Sequence, residues 1–134
     1  MSAKAAIAAL KSQLATVYPT LTGRAALETT SATLPVITLY STSDARAVDQ
    51  DYGELIFTRR MVIEVKIIAV AAYDSVLEDV LSMIRAAINQ DTLTGEWWGG
   101  NALRVQETSS AFFAPALNSN EAVLQINLEF DYRL

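Results

Sequence analysis

The chain contains no cysteine and no histidine among its 134 residues. Their absence excludes disulfide bonds, thiolate nucleophiles, Cys/His zinc sites, histidine-ligated haem and the Ser-His-Asp triad. Lack of cysteine also fits a reducing compartment. These residue types carry much of common enzyme chemistry, so we expect a protein that is not an enzyme and uses no cofactor or metal.

Basic residues are also scarce, with 10 Lys and Arg against 15 Asp and Glu, which gives a net charge of -5. No block of basic residues is present, and such blocks mark proteins that grip nucleic acid tightly. Long apolar runs are missing too, since Ile67–Tyr73 is far shorter than the roughly 20 residues that span a bilayer. At the N-terminus, Lys11, Ser12 and Gln13 interrupt the apolar stretch before a signal peptide is complete. We therefore expect neither a membrane partner nor specific DNA binding.

The composition that is present is that of a folded domain. Hydrophobic residues make up 51% of the chain and charged residues 19%, which lies well inside the globular range. A chain of this length can bury roughly two thirds of its unfolded surface. No repeat or interior linker divides it, so residues 1–134 are predicted to form a single domain.

The first third of the chain predicts one helix, two short strands and a loop. Ser2 can cap a helix whose apolar stripe ends near Val17. Short strands are predicted at 24–28 and 34–40, the second rich in β-branched residues. The polar segment 41–53 shows no period and predicts a long mobile loop, a type of connection that is often functional. The apolar stripe of the predicted first helix consists of Ile7, Leu10, Leu14 and Val17.

Two long alternating segments give the strongest signals. Residues 55–71 and 122–134 each place apolar side chains on one face and mostly polar ones on the other, which predicts half-buried strands. Between them, an amphipathic helix is predicted over 76–89, with Ser75 and Glu78 as a capping box. A strand near 103–108 and an irregular or extended piece over 111–117 follow. The order predicts an α+β fold, a mostly antiparallel sheet with two helices packed on one face.

The lengths of these elements do not match. The two long strands would reach ~55 Å and ~43 Å if straight, whereas a helix of fourteen or fifteen residues covers only ~22 Å. Either the helices lie end to end and cover the sheet, or part of the apolar strand surface is left for another copy or another protein. The sequence leaves both alternatives open.

Few residues form a constellation that could carry chemistry. Glu129 and Asp131 share a strand face and could bind a cation, but the simpler interpretation is a solvated polar face, as it is for Glu78 and Asp79. Arg59 and Arg60 could touch nucleic acid, although pairing with acidic residues such as Glu129 or Asp131 is favoured.

The adjacent tryptophans at 97 and 98 lie in a glycine-bounded loop and cannot easily both point inward. One of them is expected to plug the core, and the other either covers the core or anchors an interface. Phe112 and Phe113 most simply pack in the core or in a hairpin, and an interface role is the alternative.

Taken in order, these elements resemble the tail terminator proteins of long-tailed bacteriophages, the group that includes the minor tail protein U of lambda-like phages. The resemblance rests on an alanine-rich first helix, on Leu34-Pro35-Val36-Ile37 opening a strand, and on a long loop before Phe57-Thr58-Arg59-Arg60. It continues through the segments MVIEVKIIAVAA, SVLEDVLSMIRAAI and VLQINLEFDYRL. None of these is a catalytic signature, and neck proteins share a similar architecture.

The resemblance implies a homo-oligomeric ring, a hexamer in this family, at the head-proximal end of the virion tail. Such a ring caps the tail tube, ends its polymerisation and offers the surface that joins the head, while DNA passes through the channel. It would be assembled in the host cytoplasm, and its partners would be the tail tube protein and the connector or neck proteins. The residues expected to contact partners are Asp44, Arg46, Asp49, Asp51, Arg59, Arg60, Trp97 and Trp98. Alternatives are another head-tail joining protein or a small-ligand-binding regulatory domain.

Overall fold

The computed structural model describes residues 2–29, 33–46 and 55–134. These form a five-stranded sheet with strands in the order β1-β2-β3-β5-β4, in which only the β1–β2 pair is parallel. Three α-helices accompany it, so the predicted α+β class with a mostly antiparallel sheet is confirmed. The elements are α1 (Ala3–Leu14), β1 (Thr20–Leu21), α2 (Arg24–Leu27), β2 (Val36–Arg46), β3 (Ile56–Ile68), α3 (Tyr73–Ala87), β4 (Arg104–Phe113) and β5 (Glu121–Arg133).

Helix α1 begins where the sequence predicted. The Ser2 hydroxyl accepts a hydrogen bond from the backbone N–H of Ala5 at 3.1 Å, which satisfies one of the free donors of the first turn. Leu10 and Leu14 are fully buried, and Ala6 joins them although its small side chain gave no strong signal. The helix ends at Leu14, three residues before the predicted end, because the chain turns there toward β1.

Two predictions for the first half of the chain are wrong. The segment 24–28 is the short helix α2 and not a strand; its residues are good helix formers, and Arg24 pairs with Glu28 four residues on. The loop predicted from residue 41 is strand as far as Arg46, since β2 pairs with β3 along that length without apolar alternation. The rest of the predicted loop, including Asp49 and Asp51, lies outside the described residues.

Strands β3 and β5 form the centre of the sheet, each 13 residues long and paired over their whole lengths. Ile63 lies opposite Ile126; buried side chains alternate along β5 and from Ile63 to Ile67 in β3, while Val62, on the opposite face of β3, is buried as well. Strand β3 is shorter at both ends than the predicted 55–71. The face that carries the alternating buried residues is the core face, and the opposite one is called the outer face.

Both long helices contribute to the same core, on the core face of the sheet. Helix α1 supplies Ala6, Leu10 and Leu14, and α3 supplies Leu77, Val80, Leu81 and Ile84. Helix α3 begins at Tyr73, so Ser75 and Glu78 lie inside it; its cap residue is Ala72, which makes no side-chain capping bond. The predicted capping box is therefore wrong. None of the helices in the described ranges has both the length and the apolar composition needed to cross a membrane.

Strand β4 lies at one side of the sheet and is longer than predicted, because it takes in the first part of the piece expected to be irregular or extended. A β-bulge interrupts its pairing with β5 between Glu107 and Ser109, and a second one interrupts β2 between Ser41 and Ser43. Bulges bend the strands that carry them. Both bulges lie in the strands that flank the central pair, whereas β3 and β5 pair with each other without a shift in register.

Candidate assembly surface

The outer face carries a groove over the ends of four strands. Its volume is 550 Å³. Arg104 lines it from β4, and its Nε is 2.9 Å from an Asp131 carboxylate oxygen while a terminal nitrogen is 3.1 Å from Glu129. The β4–β5 register causes this, since Arg104 lies directly opposite Asp131. The lining residues are Ser43, Ala45, Arg46, Thr58, Arg60, Arg104, Glu129 and Asp131.

Arg104 therefore forms the ion pairs with Glu129 and Asp131 that the sequence assigned to Arg59 and Arg60. Arg60 does reach Glu129, as expected, but at 3.6 Å and with a side chain that is 68% exposed. Arg104 makes the shorter contacts and was missed, because a local pattern of residues does not reveal the register of β4 against β5. With Arg46 included, three arginines and two carboxylates line the groove and leave one positive charge.

The protonation of Asp131 follows from these contacts. Burial raises its pKa, but hydrogen bonds from Arg104 and from the Thr58 hydroxyl, the latter at 2.6 Å, outweigh burial and hold the pKa below its ordinary value. The carboxylate is charged at neutral pH and is already paired. Within the described residues, no three metal-ligating side chains converge.

Arg59 lies on the other face and has a different partner. Its Nε donates to Asp44 Oδ2 at 2.7 Å, and the same oxygen accepts the Tyr132 hydroxyl at 2.7 Å. Burial raises the pKa of Asp44, but the hydrogen bonds from Tyr132 and Arg59 outweigh burial, so the pKa lies below its ordinary value. The side chains of Arg59 and Asp44 are 23% and 29% exposed, so the apolar core face ends in a half-exposed polar network.

The two tryptophans have separate positions. Trp98 is 2% exposed, and its indole N–H donates to the Ile88 carbonyl at 3.3 Å. This position is that of a core plug, so the surface contact expected of Trp98 finds no support in the subunit. Trp97 is half-buried and lies beside Val105, in a small cavity that the Arg85–Glu107 ion pair also lines. Partner contact by Trp97 remains a prediction.

The backbone explains how Trp98 turns inward. Trp98 has a φ of 52°, and Gly99 and Gly100 follow with φ of 67° and 85°. A left-handed conformation costs a non-glycine residue roughly 1–2 kcal/mol. Burial of the indole offsets that cost, and the two glycines continue the left-handed turn with little strain.

An aromatic row connects Trp98 to the polar network at Asp44. The Trp98 ring packs edge-on against Phe130 with centroids 5.1 Å apart, and Phe130 lies 6.0 Å from Tyr132. Tyr132 stacks on Phe57 at 5.8 Å and donates its hydroxyl to Asp44. The structure thus joins Asp44, Arg59 and Trp98 through packed rings, whereas Arg60 and Arg46 border the groove of the outer face.

A comparison of the chain with models of protein families finds no match, and a comparison with curated proteins finds no similar sequence.

Proposed function

We propose that this protein is a structural component of a long-tailed phage, a tail terminator that forms a ring on the tail tube, ends tube polymerisation and provides the surface for joining the head. The observation that carries the proposal is the outer face of the sheet. Both long helices pack on the core face, and on the other side the 13-residue strands present mostly polar side chains, although Val62 is buried there and Lys66 donates a hydrogen bond to Thr29. Such a surface suits contact with neighbouring subunits or the wall of a channel.

The charge of this outer face fits passage of DNA. Along β3, β5 and β4, the outer-face residues include four basic and four acidic side chains, so their charges cancel. Arg46 of β2, which lines the groove, adds one positive charge, and a surface so nearly neutral lacks the strong positive potential that would hold the phosphate backbone. The basic residues are Arg60, Lys66, Arg104 and Arg133, and the acidic ones are Glu64, Glu121, Glu129 and Asp131.

The sequence resemblance, which spans nearly the whole chain, supplies the specific assignment to the tail. A different head-tail joining protein would need a similar ring and would differ in its partner. A ligand-binding domain is less well supported, since the carboxylates in the groove already bond to Arg104 and Thr58 within the chain.

The test is the mass of the purified protein in solution, measured over a wide concentration range, alone and with tubes polymerised from a phage tail tube protein. We expect a ring of about six copies, formed alone or on the tubes, because the resemblance implies a hexamer and a head-to-tail contact closes into a ring when the rotation between copies permits. Electron microscopy should show the ring at one end of each tube, and tubes capped early should stay shorter.

Two results would contradict the proposal in different ways. A monomer or dimer whose mass is independent of concentration and that never joins tubes would exclude a terminator. A ring that ignores tubes and binds the head connector would identify the other class of joining protein.

A further inference from the structure

Two edges of the sheet have no strand beside them within the described residues. Strand β1 pairs only with Ile37 and Thr38, so β2 has no neighbour from Leu39 to Arg46 on that side. Strand β4 is the last strand on the opposite side and leaves its outer edge open from Arg104 to Phe113. Residues 40–46 are all exposed. Open edges carry backbone N–H and C=O groups that can pair with another chain.

The two open edges lie at the same height of the sheet. The registers align Ala45 with Arg104 at one end of the open stretch, and Leu39 with Ser110 at the other. The intervening pairs are Thr58–Asp131 for the first row and Ile63–Ile126 for the second. About seven residues of each strand therefore have an open backbone edge over the same rows, a length of about 24 Å at ~3.4 Å per residue.

The strand directions also match. Each neighbouring pair from β2 to β4 is antiparallel, so β2 and β4 run in opposite directions. A copy placed beside the first in the same orientation would bring its β4 alongside β2 as an antiparallel neighbour. Its core and outer faces would then continue those of the first copy.

The side chains along the edges permit close approach. Three consecutive small hydroxyl residues lie on each edge, Ser41 to Ser43 on β2 and Thr108 to Ser110 on β4. Neither stretch contains lysine or proline, the residues that most often block edge pairing. The ionised side chains cancel on each edge, Asp44 with Arg46 and Arg104 with Glu107, although the whole chain has a net charge of -5.

The bulges, which often protect an edge, here lie in neighbouring rows of the sheet. The β2 bulge and the β4 bulge flank the same central pair, Met61 with Leu128. Each bulged threonine turns its hydroxyl back to its own sheet: Thr42 donates to the Arg60 carbonyl at 3.3 Å, and Thr108 to the Asn127 carbonyl at 3.1 Å. The two bulges lie on opposite sides of that pair, so the edges bend at nearly the same height and can follow one another.

We propose that copies of this chain join by antiparallel pairing of β4 of one copy with the open part of β2 of the next. This contact is head-to-tail, so it repeats, and it closes into a ring when the rotation between copies permits. The inference rests on the proposed function for its closure into a ring. The strand pairing itself follows from the two edges.

Cysteine crosslinking tests this pairing without background, because the natural chain has no cysteine. Ser43 and Gln106 lie on the outer face in one row of the sheet, through Arg60 and Glu129, so across the proposed contact they would be direct neighbours. The variants are S43C, Q106C and the double variant S43C/Q106C. The probe is a short bis-maleimide of about 8 Å span, which also reaches a partner displaced by two residues.

We expect a covalent ladder that ends at the full ring for the double variant and for no other. A mixture of the two single variants should give dimers and nothing larger, because each copy then carries a single cysteine. Each single variant alone should stay uncrosslinked. The control pair S12C/S82C places cysteines on exposed positions of α1 and α3 and should give no ladder. All variants should keep the mass distribution of the natural chain before the reagent is added.

The other outcomes separate this inference from the proposed function. Dimers from Q106C alone would mean that β4 pairs with β4, and dimers from S43C alone that β2 pairs with β2, and either overturns the head-to-tail contact. A ring by mass with no crosslinking above the control overturns the strand pairing but leaves the terminator proposal intact. Absence of any oligomer, with or without tubes, overturns both, whereas a ladder without tube binding overturns only the terminator role.

Discussion

Replacement of Arg104 by methionine should destabilise the domain in a way that depends on pH. Methionine keeps the apolar stem and removes the guanidinium, which pairs with Asp131 at 2.9 Å and with Glu129 at 3.1 Å. The carboxylates are only 17% and 16% exposed, whereas the Arg104 side chain is 43% exposed, so water screens the pairs. At about 0.2–1 kcal/mol for each screened pair, with two acids left side by side, we expect a loss of about 1–2 kcal/mol at pH 7.

The pH dependence follows from the lowered pKa of Asp131. A carboxyl whose pKa is lower in the folded state adds stability above its unfolded pKa of about 3.9, and that stability disappears as the pH falls through the folded value. In the variant, the hydrogen bond from Arg104 no longer offsets the effect of burial, which raises the pKa of Asp131. The difference between natural chain and variant should therefore shrink as the pH is lowered from 7 to 3.

The assay is urea unfolding of both proteins at several pH values, followed by circular dichroism and analysed with a common slope. Arg60→Met is the matched control, since Arg60 lies on the same face but is 68% exposed and 3.6 Å from Glu129. It should cost less than about 0.5 kcal/mol. Equal losses for the two variants, or a loss for Arg104→Met that does not change with pH, would refute the assignment of Arg104 as the residue that neutralises the pair.

Two further predictions concern the aromatic residues. Phe130→Ala should cost about 3–5 kcal/mol in urea unfolding, because Phe130 is fully buried, whereas Phe113→Ala, at a side chain that is 48% exposed, should cost a small fraction of that; comparable losses would contradict the assigned core. In fluorescence, Trp97→Phe leaves Trp98, which should emit at short wavelength and resist quenching by acrylamide, while Trp98→Phe leaves the more accessible Trp97; the reverse order would place the wrong ring in the core.

The positions that sequence alone predicted well are those where one local rule acts. Alternation along β3 and β5 set their buried faces, because a strand places successive side chains on opposite sides whatever lies beside it. The Ser2 cap and the stripe of α1 were readable for the same reason. Segment 24–28 failed because a short, exposed stretch has no periodicity to separate helix from strand, and the start of α3 failed because a plausible capping box lay inside the helix.

The tertiary structure alone decided which side chains meet across the sheet. Arg104 and Asp131 are 27 residues apart, and only the β4–β5 register places them together. Asp44 and Tyr132 are 88 residues apart, and their bond depends on the extension of β2 through a segment that the sequence assigned to a loop. Strand order likewise left the open edges at β2 and β4. The sequence by itself determined which face of each long strand is buried, since that is local, whereas register and strand order depend on pairing between distant segments and needed the folded chain.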